Sequence, residues 1–256
     1  MKHQPILAWP GGKRRLAKTL IPLITSRPHT CYVEAFAGGG SMFFLRPPTE
    51  VEVLNDVNVE LINLYRVVKI HLEEFIKQFK YILISRQQFQ WHKETPTGGL
   101  TDIQRAARYF YIQKLSFGGK VTGQTFGYSP SAPPRFNLLR IEEELSQAHL
   151  RLARVWIESL DWAECIKRYD RDYTMHFLDP PYWETEGYGV PFELAEYEKL
   201  SETMRTVKGS AILTINDHPE MRRVFDGFKF DKVKIDYTMG GAGKGKNRQE
   251  LIYRNW

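Results

Sequence analysis

Two short stretches of this chain each place an acid beside a rigid turn and an aromatic ring. The first is Asp179-Pro180-Pro181-Tyr182, directly after the apolar run MHFL. Its two prolines fix φ and remove two backbone donors, so the carbonyls around them are rigidly aimed. Asp179 and the Pro180 carbonyl can then accept the two hydrogens of an exocyclic amine, with Tyr182 placed to stack on a flat ring. The plainer alternative is a proline-rich turn that ends a strand. The second stretch is Val33-Glu34-Ala35-Phe36-Ala37-Gly38-Gly39-Gly40-Ser41. Consecutive glycines after a strand let the backbone turn tightly and approach a ligand closely, with helix N–H groups exposed beyond. The run is neither GxGxxG nor a P-loop, and Glu34 would repel phosphate, so a cationic or amine-bearing guest is expected. One strand later, Asn55-Asp56 puts an acid where dinucleotide folds hold ribose hydroxyls. Ala8-Trp9-Pro10-Gly11-Gly12-Lys13 adds an aromatic, a glycine turn and a cation able to bind a carboxylate; alone, it also fits a capped surface helix with one exposed lysine.

These residues need a scaffold, and the surrounding pattern predicts one. CYVEAFA and VEVLND read as strands, with SMFFL and VNVELINLYRVVK as helices after each, a βαβ-type unit that implies a parallel sheet. RRLAKTLIPLI reads as an N-terminal helix. HLEEFIKQFKYILI and TDIQRAARYFYIQKL have helical period, with Asp102 as a candidate N-cap. SFGGKVTGQTFGYSPSAPPRFN, rich in Gly, Ser, Thr and Pro, reads as a hairpin or long ordered loop. Beyond it RVWIESLD, YTMHFLDPPY, SAILTIN, FKFDKVKIDYTM and ELIYRNW read as strands, and FELAEYEKLSETMRTVK as a helix. The pattern describes a split α/β domain (1–65 and 150–256) with an inserted, mostly helical module with a hairpin-like loop (66–149).

Composition narrows the setting. The 256 residues carry a formal charge of +6 and are 42% hydrophobic and 26% charged, the balance of an ordered globular protein. No apolar run is long enough to span a bilayer, and the N-terminus lacks a signal-peptide core, so a cytoplasmic protein is expected. Two cysteines, Cys31 and Cys165, cannot build a disulfide framework. The seven histidines form no HxxxH set and there is no CxxC, so no metal site is expected. The segment 66–149 holds 12 Lys plus Arg against 7 Asp plus Glu, nearly all the net charge, which suits a module facing a polyanion but also a solvated helical surface. The tract 240–248 (GGAGKGKNR) reads as a basic loop between two strands.

In this order the motifs resemble the Dam-like class of DNA adenine methyltransferases. AWPGGK resembles that class's N-terminal cofactor motif, VEAFAGGGS its glycine motif, LNDVN its ribose motif and DPPY its catalytic motif, with RQELIYRNW similar to its closing strand. The resemblance covers 1–65 and 150–256. It implies a Rossmann-like sheet binding S-adenosylmethionine and an inserted target-recognition domain. Lys13 would then pair with the methionine carboxylate, while Glu34 and the turn Gly38, Gly39 and Gly40 line the methionine end. Asp56 would hold the ribose, with Trp9, Gly12, Phe36 and Val57 nearby, Asp161 toward the adenosine part, and Asp179 facing cofactor and target. The implied activity is transfer of a methyl group to the exocyclic amine of an adenine flipped out of double-stranded DNA, with Asp179, Pro180, Pro181 and Tyr182 at the reacting amine. The competing readings are methylation of RNA adenine or of the cytosine amine, and a DNA-binding relative without catalysis. A bacterial or phage-encoded monomer, serving restriction-modification, phage protection or a solitary role and needing no obligate protein partner, is the implied unit. The middle zone departs from the pattern: family members carry Asn-Arg-x-Gly-Phe/Tyr-Asn-Gly where this chain has Lys114-Leu115-Ser116-Phe117-Gly118-Gly119-Lys120. A GATC target therefore does not transfer, and Lys114, Lys120, Thr122, Gln124, Thr125 and Arg135 are the candidate DNA contacts.

Overall fold

The computed structural model describes residues 3–185, 189, 191–236 and 247–256. Seven strands form one sheet: β1 (Cys31–Glu34), β2 (Val51–Asn55), β3 (Trp156–Glu158), β4 (Thr174–Leu178), β5 (Ser210–Asn216), β6 (Lys229–Asp236) and β7 (Asn247–Arg254), in the order β3-β2-β1-β4-β5-β7-β6. The pairings from β3 through β5 are parallel, and β7 is antiparallel to β5 and β6. β1 and β4 are buried along their whole length, so neither shows the alternation of a half-exposed strand. Strand order reverses between β1 and β4. The carboxyl ends of the parallel strands (Glu34, Asn55, Leu178 and Asn216) open at one edge, which is where open α/β sheets bind ligands. This is a Rossmann-like α/β architecture.

Between β2 and β3 the chain runs through the helices Val59–Ile70, Leu72–Lys77, Arg86–Glu94, Asp102–Leu115 and Ile141–Leu152. Phe75, Phe79, Phe110 and Phe136 form an aromatic cluster with ring centroids 5.1 to 5.7 Å apart. Their core is continuous with Phe43, Phe44 and Leu54 on the sheet side. The expected boundaries at 65/66 and 149/150 both fall inside helices, Val59–Ile70 and Ile141–Leu152. A buried ion group adds to the junction: Glu52 of β2 accepts from Arg46 and Arg151, and Arg151 also donates to the Phe43 carbonyl at 2.8 Å.

Several local expectations are corrected. β1 stops at Glu34, because Ala37 N–H donates to the Asn55 carbonyl (2.8 Å) and turns the following residues off the ladder. The N-terminal helix starts as a 3₁₀ turn, Lys13–Leu16, before Ala17–Thr25. HLEEFIKQFKYILI is helical only to Lys77. The helix Asp102–Leu115 is capped by Thr101, not Asp102, through a capping box with Gln104. The hairpin-like segment has no strands; a single bridge, Ser116↔Phe126, closes it as a loop. The helices Arg86–Glu94, Ile141–Leu152, Trp162–Tyr169 and Pro219–Val224 had no counterpart in the pattern reading. Within the basic tract, residues 240–246 lie outside the described residues.

Candidate active site

The glycine turn is built against Trp9. A Cβ on Gly38 would come within 2.7 Å of the Trp9 indole nitrogen, and one on Gly39 within 2.9 Å of Trp9 Cβ. Gly38 also has φ +48°, a left-handed conformation that a side chain strains. Only glycine lets the indole lie on this turn. The Gly38 N–H donates to Asp56 Oδ2 at 2.8 Å, and the Gly38 carbonyl accepts from Tyr65 Oη at 2.8 Å. Asp56 Oδ1 takes the Asn58 N–H at 2.9 Å. Asn55, fully buried, joins the β1 and β3 exits: its amide donates to the Ala35 and Leu160 carbonyls (3.0 and 3.1 Å) and accepts from Leu160 N–H (2.8 Å).

Asp179 follows the last residue of β4. Its Oδ1 receives the Lys13 ammonium at 2.6 Å and the Thr214 hydroxyl at 2.9 Å. Among the described residues no donor reaches its Oδ2 or the Pro180 carbonyl. The rest of the tetrapeptide is braced from three elements. Tyr197 donates to the Pro181 carbonyl at 2.6 Å. The Asn216 carboxamide at the end of β5 binds both the N–H (3.0 Å) and the carbonyl (3.2 Å) of Trp183. Tyr182, only 4% exposed, donates its hydroxyl to Glu250 of β7 and lies beneath Lys13, whose ammonium is 4.6 Å from the ring centre. Tyr182 is therefore packed between Lys13 and Glu250 and, unlike Asp179, Pro180 and Pro181, does not line the adjoining cavity.

A cavity of about 400 Å³ lies between these parts, within the range of about 300–1,000 Å³ usual for small-molecule sites. The structure brings to it Trp9, Gly12, Lys13, Glu34, Phe36 and Gly38, and from the other motifs Gly39, Asp56, Val57, Asp161, Asp179, Pro180 and Pro181. Gly40 stands behind the turn, where its left-handed φ (+62°) sets the start of the helix Ser41–Leu45. Asp161 has a second task as N-cap of Trp162–Tyr169, accepting the Ala163 N–H at 2.9 Å. Pattern reading missed Trp162, which stacks on Phe36 at 6.0 Å, and Phe192, edge-on to Phe36 at 5.7 Å. Thr214, Asn216 and Glu250 were missed as well. No motif spacing marks these five; they reach the site only through the folding of β5, β7, the helix Trp162–Tyr169 and the loop before the helix Leu194–Thr206.

The cavity wall is acidic. Burial pushes the Glu34 carboxyl up to about 8, against the opposing effects of the Tyr32 hydroxyl (2.8 Å) and Arg46. Burial also raises Asp179, opposed by Lys13, and raises Asp56, opposed by its backbone N–H partners. Three carboxyls held in low dielectric favour a cationic guest.

The candidate DNA contacts divide into two groups. Lys120, Thr122, Thr125 and Arg135 are exposed. Lys114 is instead paired with Glu144 at 3.0 Å and lies over the Phe110 ring, while half-buried Gln124 donates to the Val121 carbonyl at 2.7 Å. The loop is fastened to the N-terminal motif: Gln113 donates to both the Ala8 and Gly119 carbonyls, and a Cβ on Gly119 would lie 3.0 Å from the Ala8 oxygen. Phe117 at its start is half exposed.

Known proteins are similar in sequence over most of the chain. A DNA adenine methylase of Haemophilus influenzae is 26% identical, across 93% of this chain and 88% of its own length. The type II methyltransferase M.CviBI of Paramecium bursaria Chlorella virus NC1A is 26% identical across 99% of this chain and all of its own. The type II methyltransferase M1.LlaDCHI of Lactococcus lactis subsp. cremoris is also 26% identical, across 99% of this chain. Residues 9–239 match the D12 class N6 adenine-specific DNA methyltransferase family, a span running from Trp9 through the glycine turn and DPPY to just past β6. With this match over most of its length, the chain belongs to the D12 class of N6 adenine-specific DNA methyltransferases.

Proposed function

We propose that the cavity holds S-adenosylmethionine and that the chain methylates N6 of an adenine turned out of duplex DNA. The observation that carries this reading is the pair of acceptors at Asp179 Oδ2 and the Pro180 carbonyl, fixed by their neighbours and reached by no donor among the described residues. The cofactor fits by its chemistry: it carries an ammonium and a sulfonium and no phosphate, and the wall carries Glu34, Asp56 and Asp179. Glu34 and the glycine turn would take the amino-acid end, Asp56 the ribose hydroxyls, and Trp9, Phe36 and Val57 the apolar faces, with Asp161 toward the adenosine side. When bound, this group supplies an electrophilic methyl.

What the chain adds is positioning. The lone pair of an adenine amine is delocalised into the ring and is a poor nucleophile. Acceptance of both N–H hydrogens by Asp179 and Pro180 favours a pyramidal nitrogen with its lone pair available, and alignment with the methyl then lowers the barrier. The amine lies inside a duplex, so the base must leave the stack. Two observations modify the expected role of Tyr182. Its ring is buried beneath Lys13 with its hydroxyl on Glu250, outside the cavity lining, and half-buried Trp183 beside it lines a separate recess with Asn216, His218 and Gln249. We assign DNA recognition to the insert, with Lys120 and Arg135 as phosphate partners and Thr122 and Thr125 beside them. Gly189, after the tetrapeptide, lies against Thr122, a Cβ there falling 2.9 Å from its methyl. One chain acting on duplex DNA in the cytoplasm is the simplest working unit; among the described residues no helix is long and apolar enough to cross a membrane.

Incubation with unmethylated plasmid and S-adenosylmethionine, followed by sequencing that reads modified bases, tests the proposal. N6-methyladenine at a recurring site is expected. Absence of modified adenine, or modification of cytosine, would overturn it.

A further inference from the structure

The family resemblance assigns Lys13 to the cofactor's carboxylate, but its ammonium is spent elsewhere. Lys13 is 2% exposed. Its three donor directions meet Asp179 Oδ1 (2.6 Å), the Gly11 carbonyl (2.8 Å) and the face of Tyr182 (4.6 Å). We propose that Lys13 is a positioning residue for methyl transfer, the fixed counter-ion that keeps Asp179 an ionised acceptor for the target amine, and is not the grip on the cofactor's carboxylate. The inference rests on the site reading above.

The surroundings of Asp179 make a counter-ion necessary. Facing it are Glu34 from the end of β1, the Thr214 hydroxyl from β5, Glu250 from β7 with the Tyr182 hydroxyl bound to it, and Lys13 from the 3₁₀ turn. Two of these are acids, Thr214 is neutral, and Lys13 is the cation in contact. Burial and the Glu250 carboxylate drive Asp179 toward its protonated form, and Lys13 opposes them. The protonation state matters because of the reaction's balance. The amine nitrogen uses its lone pair to form the N–CH₃ bond. The donor's S–CH₃ bond breaks with its electron pair remaining on sulfur, turning the sulfonium into a neutral thioether. The nitrogen, now cationic, sheds one proton. An ionised Asp179 accepts the amine hydrogen and that proton at Oδ2 while Oδ1 stays tethered to Lys13 and Thr214. A protonated Asp179 has lost that accepting capacity.

The sign of the pH effect follows. Removing the positive charge raises the pKa of Asp179, so the rate falls at neutral pH and returns as pH climbs past the new value. The test is single-turnover transfer from saturating S-adenosylmethionine to duplex DNA between pH 6 and 10 for wild type, Lys13→Met and Lys13→Arg, with calorimetric cofactor binding on each. Expected for Lys13→Met are an acid limb moved up by at least one pH unit, a loss of about tenfold or more at pH 7 that is recovered by pH 9 to 10, and cofactor affinity within about threefold of wild type. Lys13→Arg keeps the wild-type limb. If Lys13→Met does not fold, Lys13→Gln carries the same expectation. A limb that stays in place while cofactor affinity falls more than tenfold assigns Lys13 to the cofactor and overturns the proposal, as does a loss equal at every pH. A wild-type chain that binds no S-adenosylmethionine overturns the site reading and this proposal together. Wild-type binding with an unmoved limb overturns the role of Lys13 alone.

Discussion

Glu34→Gln tests whether the acid beneath the glycine turn is held protonated until a cation arrives. Glu34 is 1% exposed at the end of β1, accepts the Tyr32 hydroxyl at 2.8 Å, and has its pKa raised by burial to about 8. In the unfolded chain a glutamate loses its proton near pH 4.5. Between these values the folded state binds more protons than the unfolded state, so stability falls as pH rises through the window. The loss approaches ~1.4 kcal/mol per pH unit in mid-window and totals about 3–4 kcal/mol between pH 5 and pH 8. Glutamine does not titrate, so the stability difference between Glu34→Gln and wild type should shift by that amount in favour of the variant. Urea unfolding at pH 5, 6, 7 and 8 on both proteins measures it, and parallel curves would refute the reasoning. A functional consequence is readable in the same pair. With a pKa near 8, about 0.9 of the Glu34 side chains are protonated at pH 7. An ammonium seated beside Glu34 would ionise it, so cofactor binding should release up to about that fraction of a proton, measured as the buffer dependence of the binding enthalpy. Glu34→Gln should release none.

Other expectations follow from the same geometry. Asp179→Ala should lower methyl transfer from labelled cofactor by about 10³-fold or more while cofactor affinity changes only a few-fold; persistent transfer would refute the role given to Asp179. Asn55→Ala removes three buried hydrogen bonds, to Ala35 and Leu160, and should cost about 2–4 kcal/mol in urea unfolding. Gly38→Ala drives a methyl to 2.7 Å from the Trp9 indole at φ +48°; a strain of about 1–3 kcal/mol, with a raised cofactor KM, is expected from unfolding and kinetics. DNA affinity should fall steeply with salt, and Lys120→Ala and Arg135→Ala should each reduce the log–log slope by about 1; a flat titration would remove the insert's basic residues from the interface.

Which residues would share the cavity was largely legible in the linear order, because the motifs that carry them are local. The prolines of DPPY fix their own backbone, and consecutive glycines signal a turn that side chains cannot make. The acid after β2 lies one residue beyond an apolar run. The helix Asp102–Leu115 was likewise visible in its period, though its cap was misread by one residue because Thr101 and Gln104 satisfy each other across the first turn. A short helix such as Pro219–Val224 escaped notice because so few turns barely express a period. The expected boundaries at 65/66 and 149/150 lie within helices, and the phenylalanines of 66–149 share a core with the sheet, so no polar linker marks a division there.

By itself, then, the sequence determined the motif order, the parallel texture and the identity of the acids, each a property of neighbours along the chain. Only the tertiary structure decided what those groups face. It turned Lys13 inward to Asp179, buried Tyr182 against Glu250, and brought Thr214 and Asn216 to the tetrapeptide. Pairing across the sheet joins residues far apart in sequence, and no spacing rule along the chain encodes which donor will reach which oxygen.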